Sequence, residues 1–183
     1  MSKTVLDSVG FHPLIKRWFK QRFAYPSPPQ QLGWPSIAAD KHTLILAPTG
    51  SGKTLAAFLW SIDQLFRWSL SLPSHQFFKN PTGIHTLYIS PLKALNNDIH
   101  RNLTAPLKEI HRLARSKHCE SPQPRIRVAV RTGDTPSHVR QSMLRHPPHI
   151  LITTPESLYL LLSTDRGREL FRELKYVIVE RAH

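Results

Sequence analysis

The chain has 183 residues, 40% of them apolar, and carries 25 lysines and arginines against 12 acidic residues for a net charge of +13. That length suits one ordinary domain with a real core, and no apolar run approaches the roughly 20 residues that span a bilayer, so no membrane partner is expected. A pI near 10.5 favours polyanionic partners, because neutralising phosphates releases their counterions.

Leu14, Ile15, Trp18 and Phe19 fall at helical spacing and predict a small amphipathic helix over 13–22. Lys16, Arg17, Lys20 and Arg22 interrupt every apolar window there, so no signal segment is read. Pro26, Pro28 and Pro29 predict an extended linker, and Gln31 to Ala39 a second short helix. The run Thr43-Leu44-Ile45-Leu46 reads as a buried strand. It leads into Ala47-Pro48-Thr49-Gly50-Ser51-Gly52-Lys53-Thr54, which has the pattern of a phosphate-binding loop except that Ala47 stands where glycine is usual. The strand before it and the helix after it give that pattern meaning. Its glycines let backbone N–H groups turn toward phosphate oxygens, Lys53 would reach the β- and γ-phosphates, and the Thr54 hydroxyl would ligate Mg²⁺. The helix beginning here adds its positive dipole end. A nucleoside triphosphate with Mg²⁺ is the expected ligand.

That helix is predicted to run to about Leu70, with 71–84 as a loop. Thr86 to Ser90 is a second strand. Pro91 then opens a helix with Leu92, Leu95, Ile99, Leu103, Leu107 and Ile110 on one face, which Pro106 is expected to kink. The tract Ser116 to Pro124 is polar and loop-like. It holds the only cysteine, Cys119, which excludes an internal disulfide and fits a reducing cytoplasm. Ile126, Val128 and Val130 form a third strand, followed by a helix over about 136–146. His146 and His149 flank Pro147-Pro148 in a turn, and none of the eleven histidines has the spacing of a metal cage. Ile150 to Thr153 is a fourth strand, Pro155 opens a helix through Leu162, Gly167 to Phe171 suggests another, and Tyr176 to Val179 is a fifth strand. Strands alternating with helices predict an α/β fold: a mainly parallel sheet with helices on both faces. In such sheets ligands gather at the carboxyl ends of the strands.

The residues just past each strand form a series. After the phosphate loop come Pro91-Leu92-Lys93, then Thr132-Gly133-Asp134, Thr154-Pro155-Glu156-Ser157, and Glu180-Arg181-Ala182-His183. This order resembles the first RecA-like motor domain of superfamily 2 helicases. Pro28-Pro29-Gln30 before Gly33-Trp34-Pro35, with the tract Thr132 to Leu162, is most similar to the large helicase-related (Lhr) group of DEAD/DEAH-type enzymes. The resemblance runs from Phe11 to His183. It implies an adenine-recognition segment over 1–40 and a RecA-like P-loop domain over 41–183. It implies that Gln30 reads the adenine edge, which makes the nucleotide ATP. It further implies that Pro91 with Lys93, Thr132 with Gly133, and Thr154 with Pro155 contact the sugar-phosphate backbone of single-stranded DNA or RNA. Backbone amides and small hydroxyls suit that task, since they hold phosphate without reading sequence.

The last motif departs from the family's Asp-Glu-x-His. Glu180 stands where the Mg²⁺-coordinating aspartate belongs, and Arg181 where the catalytic glutamate belongs. One extra methylene still lets Glu180 reach a metal. A guanidinium, by contrast, stays protonated and cannot take a proton from the attacking water. The resemblance also implies a second RecA-like domain that closes over ATP and supplies arginine fingers, and nothing in the chain corresponds to it. The expectation is therefore a C-terminally truncated motor domain that binds ATP and nucleic acid without unwinding; the alternative is a non-catalytic, nucleotide-dependent nucleic-acid-binding module.

Overall fold

Among the described residues four short runs rich in β-branched side chains form the sheet: β1 (Thr86–Ile89), β2 (Val128–Arg131), β3 (Ile150–Thr153) and β4 (Tyr176–Val179). The computed structural model describes residues 4–71, 83–91, 93–115 and 126–180. The strands lie in the order β2-β3-β1-β4, and every pairing is parallel. Ile150, Leu151, Ile152 and Thr153 are all buried, as an inner parallel strand covered on both faces requires. At the β4 edge Val177 and Val179 are 54% and 70% exposed, so only alternate residues face inward.

The helices are α1 (Val5–Ser8), α2 (Pro13–Arg22), α3 (Pro28–Ala38), α4 (Lys53–Ser71), α5 (Lys93–Arg115), α6 (Ser137–Arg145), α7 (Pro155–Leu162) and α8 (Asp165–Glu169). Helix α5 continues through Pro106. The predicted loop over 71–84 and the polar tract with Cys119 lie mostly or wholly outside the described residues.

Two expectations need correction. Pro28 and Pro29 do not extend a linker; they occupy the first turn of α3, where a missing N–H costs nothing and φ is already helical. Thr43 to Leu46 is not a strand. The segment is extended, but no described ladder includes it, and an extended segment becomes a strand only when a neighbour supplies its hydrogen bonds. Leu44 and Leu46 are 83% and 85% exposed, whereas Ile45 turns back onto Gly33 of α3.

The chain divides into two compact units, Met1–Trp68 with Glu109–Cys119, and Ser69–Lys108 with Glu120–His183. The first is built on aromatic packing. Phe11 and Phe19 meet the Trp34 ring edge-on at 5.1 and 5.5 Å, and all three are buried. The buried Asp63 accepts from the His12 amide at 2.6 Å and from Arg67 Nε at 2.7 Å. Arg67 also donates to the Gly10 carbonyl, so the chain before α2 is tied to α4 by charge-assisted bonds. The second unit is centred on Ile84, Leu87, Leu151, Leu161 and Leu170.

At the amino ends of β1 and β3 the second unit holds two histidines, His149 buried and His85 half-buried. His149 lies just past the Pro147-Pro148 turn, and its Nδ1 accepts from the Arg127 amide at 2.9 Å. Burial, then Arg127 and His85, push its pKa down to about 3; burial, then Lys175, push His85 down to about 4. Both rings are neutral in the folded state, while the unfolded chain takes up protons near pH 6.5. Their contribution is therefore intact above about pH 6.5 and is lost as pH falls toward the folded values. His149 alone is expected to lower stability by about 2 kcal/mol at pH 5 relative to pH 7. A urea midpoint that falls between those pH values at constant m-value is the expected result; equal midpoints would contradict it.

Candidate functional site

The octet Ala47 to Thr54 folds as its residue types demand. Gly50 and Gly52 have φ of +78° and +88°, the left-handed region in which a side chain is strained. Lys53, Thr54 and Leu55 form the first turn of α4, so their N–H groups have no partner four residues back. The first backbone bond of that helix runs from the Ala56 amide to the Gly52 carbonyl at 2.9 Å. Lys53 Nζ donates to the carbonyls of Pro48, at 2.8 Å, and Ala47, which holds the ammonium inside the loop. Ser51 Oγ is buried and has no hydrogen-bond partner among the described residues. A phosphate group fits this cradle: it would accept from the helix-start amides, from Lys53 and from the orphaned hydroxyl. Thr54 is the second residue of α4, and the exposed Pro48 and Thr49 lie in the segment that leads into the loop.

Gln30 is brought directly against this loop. It is 4% exposed at the third position of α3, where its Oε1 accepts from the Ser27 amide at 2.9 Å and its Nε2 donates to the Gly52 carbonyl at 3.4 Å. The side chain thus caps α3 and braces the phosphate loop together. Trp34 adds a second brace, its Nε1 donating to the Ala56 carbonyl in the first turn of α4 at 3.1 Å. A Cβ on Gly52 would lie 2.7 Å from Gln30 Nε2 and 2.9 Å from Ser27 Oγ. Gly52→Ala is therefore expected to cost about 1–3 kcal/mol, from left-handed strain and displacement of Gln30. Gln30→Ala in the same chain should return the steric part. Urea midpoints of the two single variants and the double variant check this; strict additivity would count against the contact.

In the second unit, register aligns the strand ends. Thr153 pairs with both Ile89 and Arg131, and Ile89 pairs with Val179. The residues that follow, Pro91, Thr132 with Gly133, Thr154 with Pro155, and Glu180, therefore emerge along one carboxyl end. Lys93 begins α5 just beyond Pro91. Thr154 caps α7, its Oγ1 accepting from the Ser157 amide at 3.4 Å, and Pro155 is the first residue of that helix. Thr153 Oγ1 donates to the Arg131 carbonyl at 2.8 Å, joining the two strand ends. Thr132 to Thr135 forms a tight turn braced by Arg140, which donates to the carbonyls of Thr135 at 2.7 Å and Gly133 at 2.5 Å. Sequence reasoning missed Arg140, because a basic residue on a short polar helix carries no motif.

Glu180 continues the β4 ladder by donating its amide to the Ile89 carbonyl at 2.9 Å. Its Oε2 accepts from the Tyr88 hydroxyl at 2.5 Å. Burial, and then this bond to Glu180, push the Tyr88 pKa upward, so the phenol keeps its proton and orients the carboxylate. This partner was also absent from the sequence reading, since 92 positions separate the pair. Arg181 lies outside the described residues.

The family model for DEAD/DEAH box helicases matches residues 27–183. The chain is 48% identical over 169 residues to the ATP-dependent helicase Lhr-Core of Methanocaldococcus jannaschii, a match covering 92% of this chain and 19% of that protein. It is 46% identical over 173 residues to the Lhr helicase/uracil glycosylase of Escherichia coli, covering 94% of this chain and 11% of that one. The solved structure of Mycobacterium smegmatis helicase Lhr bound to ssDNA and AMP-PNP matches with a TM-score of 0.83 at 45% identity, over 97% of this chain and 21% of that one. The chain thus spans only a minor part of the length of the relatives it matches.

Proposed function

The chain belongs to the DEAD/DEAH box helicase family, and from that premise we propose that it is the ATP- and nucleic-acid-binding first motor domain of an Lhr-like helicase, able to bind but not to unwind by itself. One observation carries this reading: a phosphate loop with two left-handed glycines is braced by the buried Gln30, the residue that the family resemblance assigns to the adenine. ATP would supply the anhydride bond whose cleavage drives such motors. The chain's own residues hold and orient it, with Lys53 and the α4 amides at the phosphates; the resemblance assigns Mg²⁺ ligation to Thr54 of the first unit and to Glu180 of the second. Gln30 stands ready for the base once its bond to Gly52 is exchanged for the adenine edge. Pro91, Lys93, Thr132, Gly133, Thr154 and Pro155 form the proposed grip on one strand of DNA or RNA. Support for it comes from the +13 charge and from the alignment of these residues along one sheet end.

Arg181 favours a second reading, a nucleotide-dependent binding module without catalysis. ATP turnover with and without single-stranded nucleic acid separates the two. Alongside it, anisotropy of a labelled oligonucleotide should rise when the chain is added and change when a non-hydrolysable ATP analogue is present. Absence of binding to either ligand would defeat both readings.

A further inference from the structure

The outer face of α2 carries a cluster that neither the phosphate loop nor the strand ends use. Ile15, Trp18 and Phe19 are buried beneath it, so the helix is held firmly and its other face is committed to solvent. On that face Asp7, Pro13, Lys16, Arg17, Lys20 and Gln21 line an open groove of about 410 Å³. Asp7 is the one acid in it. Its carboxylate accepts from Thr4 and Lys16, which with Lys20 hold its pKa at about 2, so it offsets only one of the three cations. Glu109, the acid nearest the far end of α2, is already engaged by Trp18 Nε1 and Arg22, each at 2.7 Å. Arg17 and Lys20 form no ion pair with any described residue.

Lys20 lies in the last turn of α2, where the macrodipole favours a cation, but Arg17 gains nothing from the helix ends. Lys16 and Lys20 are like charges four residues apart, and Asp7 bonds only Lys16. Three cations gathered in one open groove against a single acid suit an external polyanion. We propose that the solvent face of α2 is a second nucleic-acid contact, in which Lys16, Arg17 and Lys20 hold backbone phosphates without reading sequence. This extends the proposed function to a surface that none of the helicase motifs includes.

The test compares the unaltered chain with Arg17→Gln/Lys20→Gln. Both side chains are exposed and form no ion pair with a described residue, so the variant should retain its circular dichroism spectrum and urea midpoint. A control, Arg166→Gln/Lys175→Gln, removes the same charge from exposed positions near the amino end of the sheet. Binding of labelled oligo-dT is followed by anisotropy across salt concentrations. The slope of log K against log salt should become shallower by about 1.4 in the α2 variant, about 0.7 for each lost phosphate contact, and should stay unchanged in the control. The same change with oligo-rU would confirm that phosphate, not the sugar, is held. An unchanged slope in the α2 variant, an equal loss in the control, or an effect seen only with phosphatidylserine vesicles would overturn the proposal. Failure of the unaltered chain to bind any oligonucleotide would overturn the proposed function with it; binding that the α2 substitutions leave intact overturns this inference alone.

Discussion

Lys53→Ala is expected to abolish binding of a fluorescent ATP analogue at concentrations that saturate the unaltered chain. The ammonium is the one side-chain cation built into the loop, and it is held by the Pro48 and Ala47 carbonyls at the mouth of the cradle. Each charge-assisted hydrogen bond lost to phosphate is worth about 1.5–3 kcal/mol, or about 10- to 150-fold in Kd, and a lysine between two phosphates makes more than one. Because the same ammonium ties the loop to itself, stability must be measured in parallel. A variant whose urea midpoint is nearly unchanged but whose nucleotide affinity collapses assigns the effect to the site. Lys53→Arg should recover part of the charge but not the geometry, since a planar fork does not replace a compact ammonium. Undiminished binding by Lys53→Ala would sink the phosphate-loop assignment.

The second large effect is expected in the rate. Arg181→Glu restores a group that can accept a proton from the attacking water, a contribution of about 10²–10⁴-fold where general-base catalysis operates. Single-turnover ATP hydrolysis by this variant, with single-stranded nucleic acid present, should exceed that of the unaltered chain by a factor in that range. The neighbouring Glu180 is already oriented by Tyr88, so a second carboxylate would join a carboxylate held in place. Tyr88→Phe in the Arg181→Glu background should then lower the rate without lowering oligonucleotide affinity. Strong turnover by the unaltered chain would show that Arg181 is no obstacle and would remove the non-catalytic reading. Silence from both chains would show that Arg181 is not what limits turnover.

Much of the site is legible in the residues because its chemistry is local. A loop that needs two left-handed residues must have glycine at both, and Gly50 and Gly52 are those positions. Pro155 after Thr154 reads as a capped helix start, and that is what forms. Where local reading failed, a non-local partner decided. The apolar run Thr43 to Leu46 has the composition of a strand, yet strand formation requires a neighbour's ladder, which no run of side chains can specify alone. Pro28 and Pro29 were misread for the opposite reason: prolines that break a helix interior also open a helix, and only the capping of α3 by Gln30 separates the two roles.

By itself, then, the amino-acid sequence determined the glycine positions of the loop before α4, the parallel α/β order, and the series of residues at the strand ends that ends in Glu180 and Arg181. Each depends on residue type and spacing along a few consecutive positions, where sterics and ionisation leave little choice. Only the tertiary structure decided that Gln30 is buried against Gly52, that Arg140 braces the turn over 132–135, and that Tyr88 holds Glu180 from 92 residues away. It also decided that Arg17 and Lys20 are exposed on α2 and form no ion pair with a described residue. The Gln30 and Tyr88 contacts arise from register and helix packing, which bring side chains 22 and 92 positions apart within hydrogen-bond reach, and Arg140 reaches back across its own turn; none leaves a periodic trace in the chain.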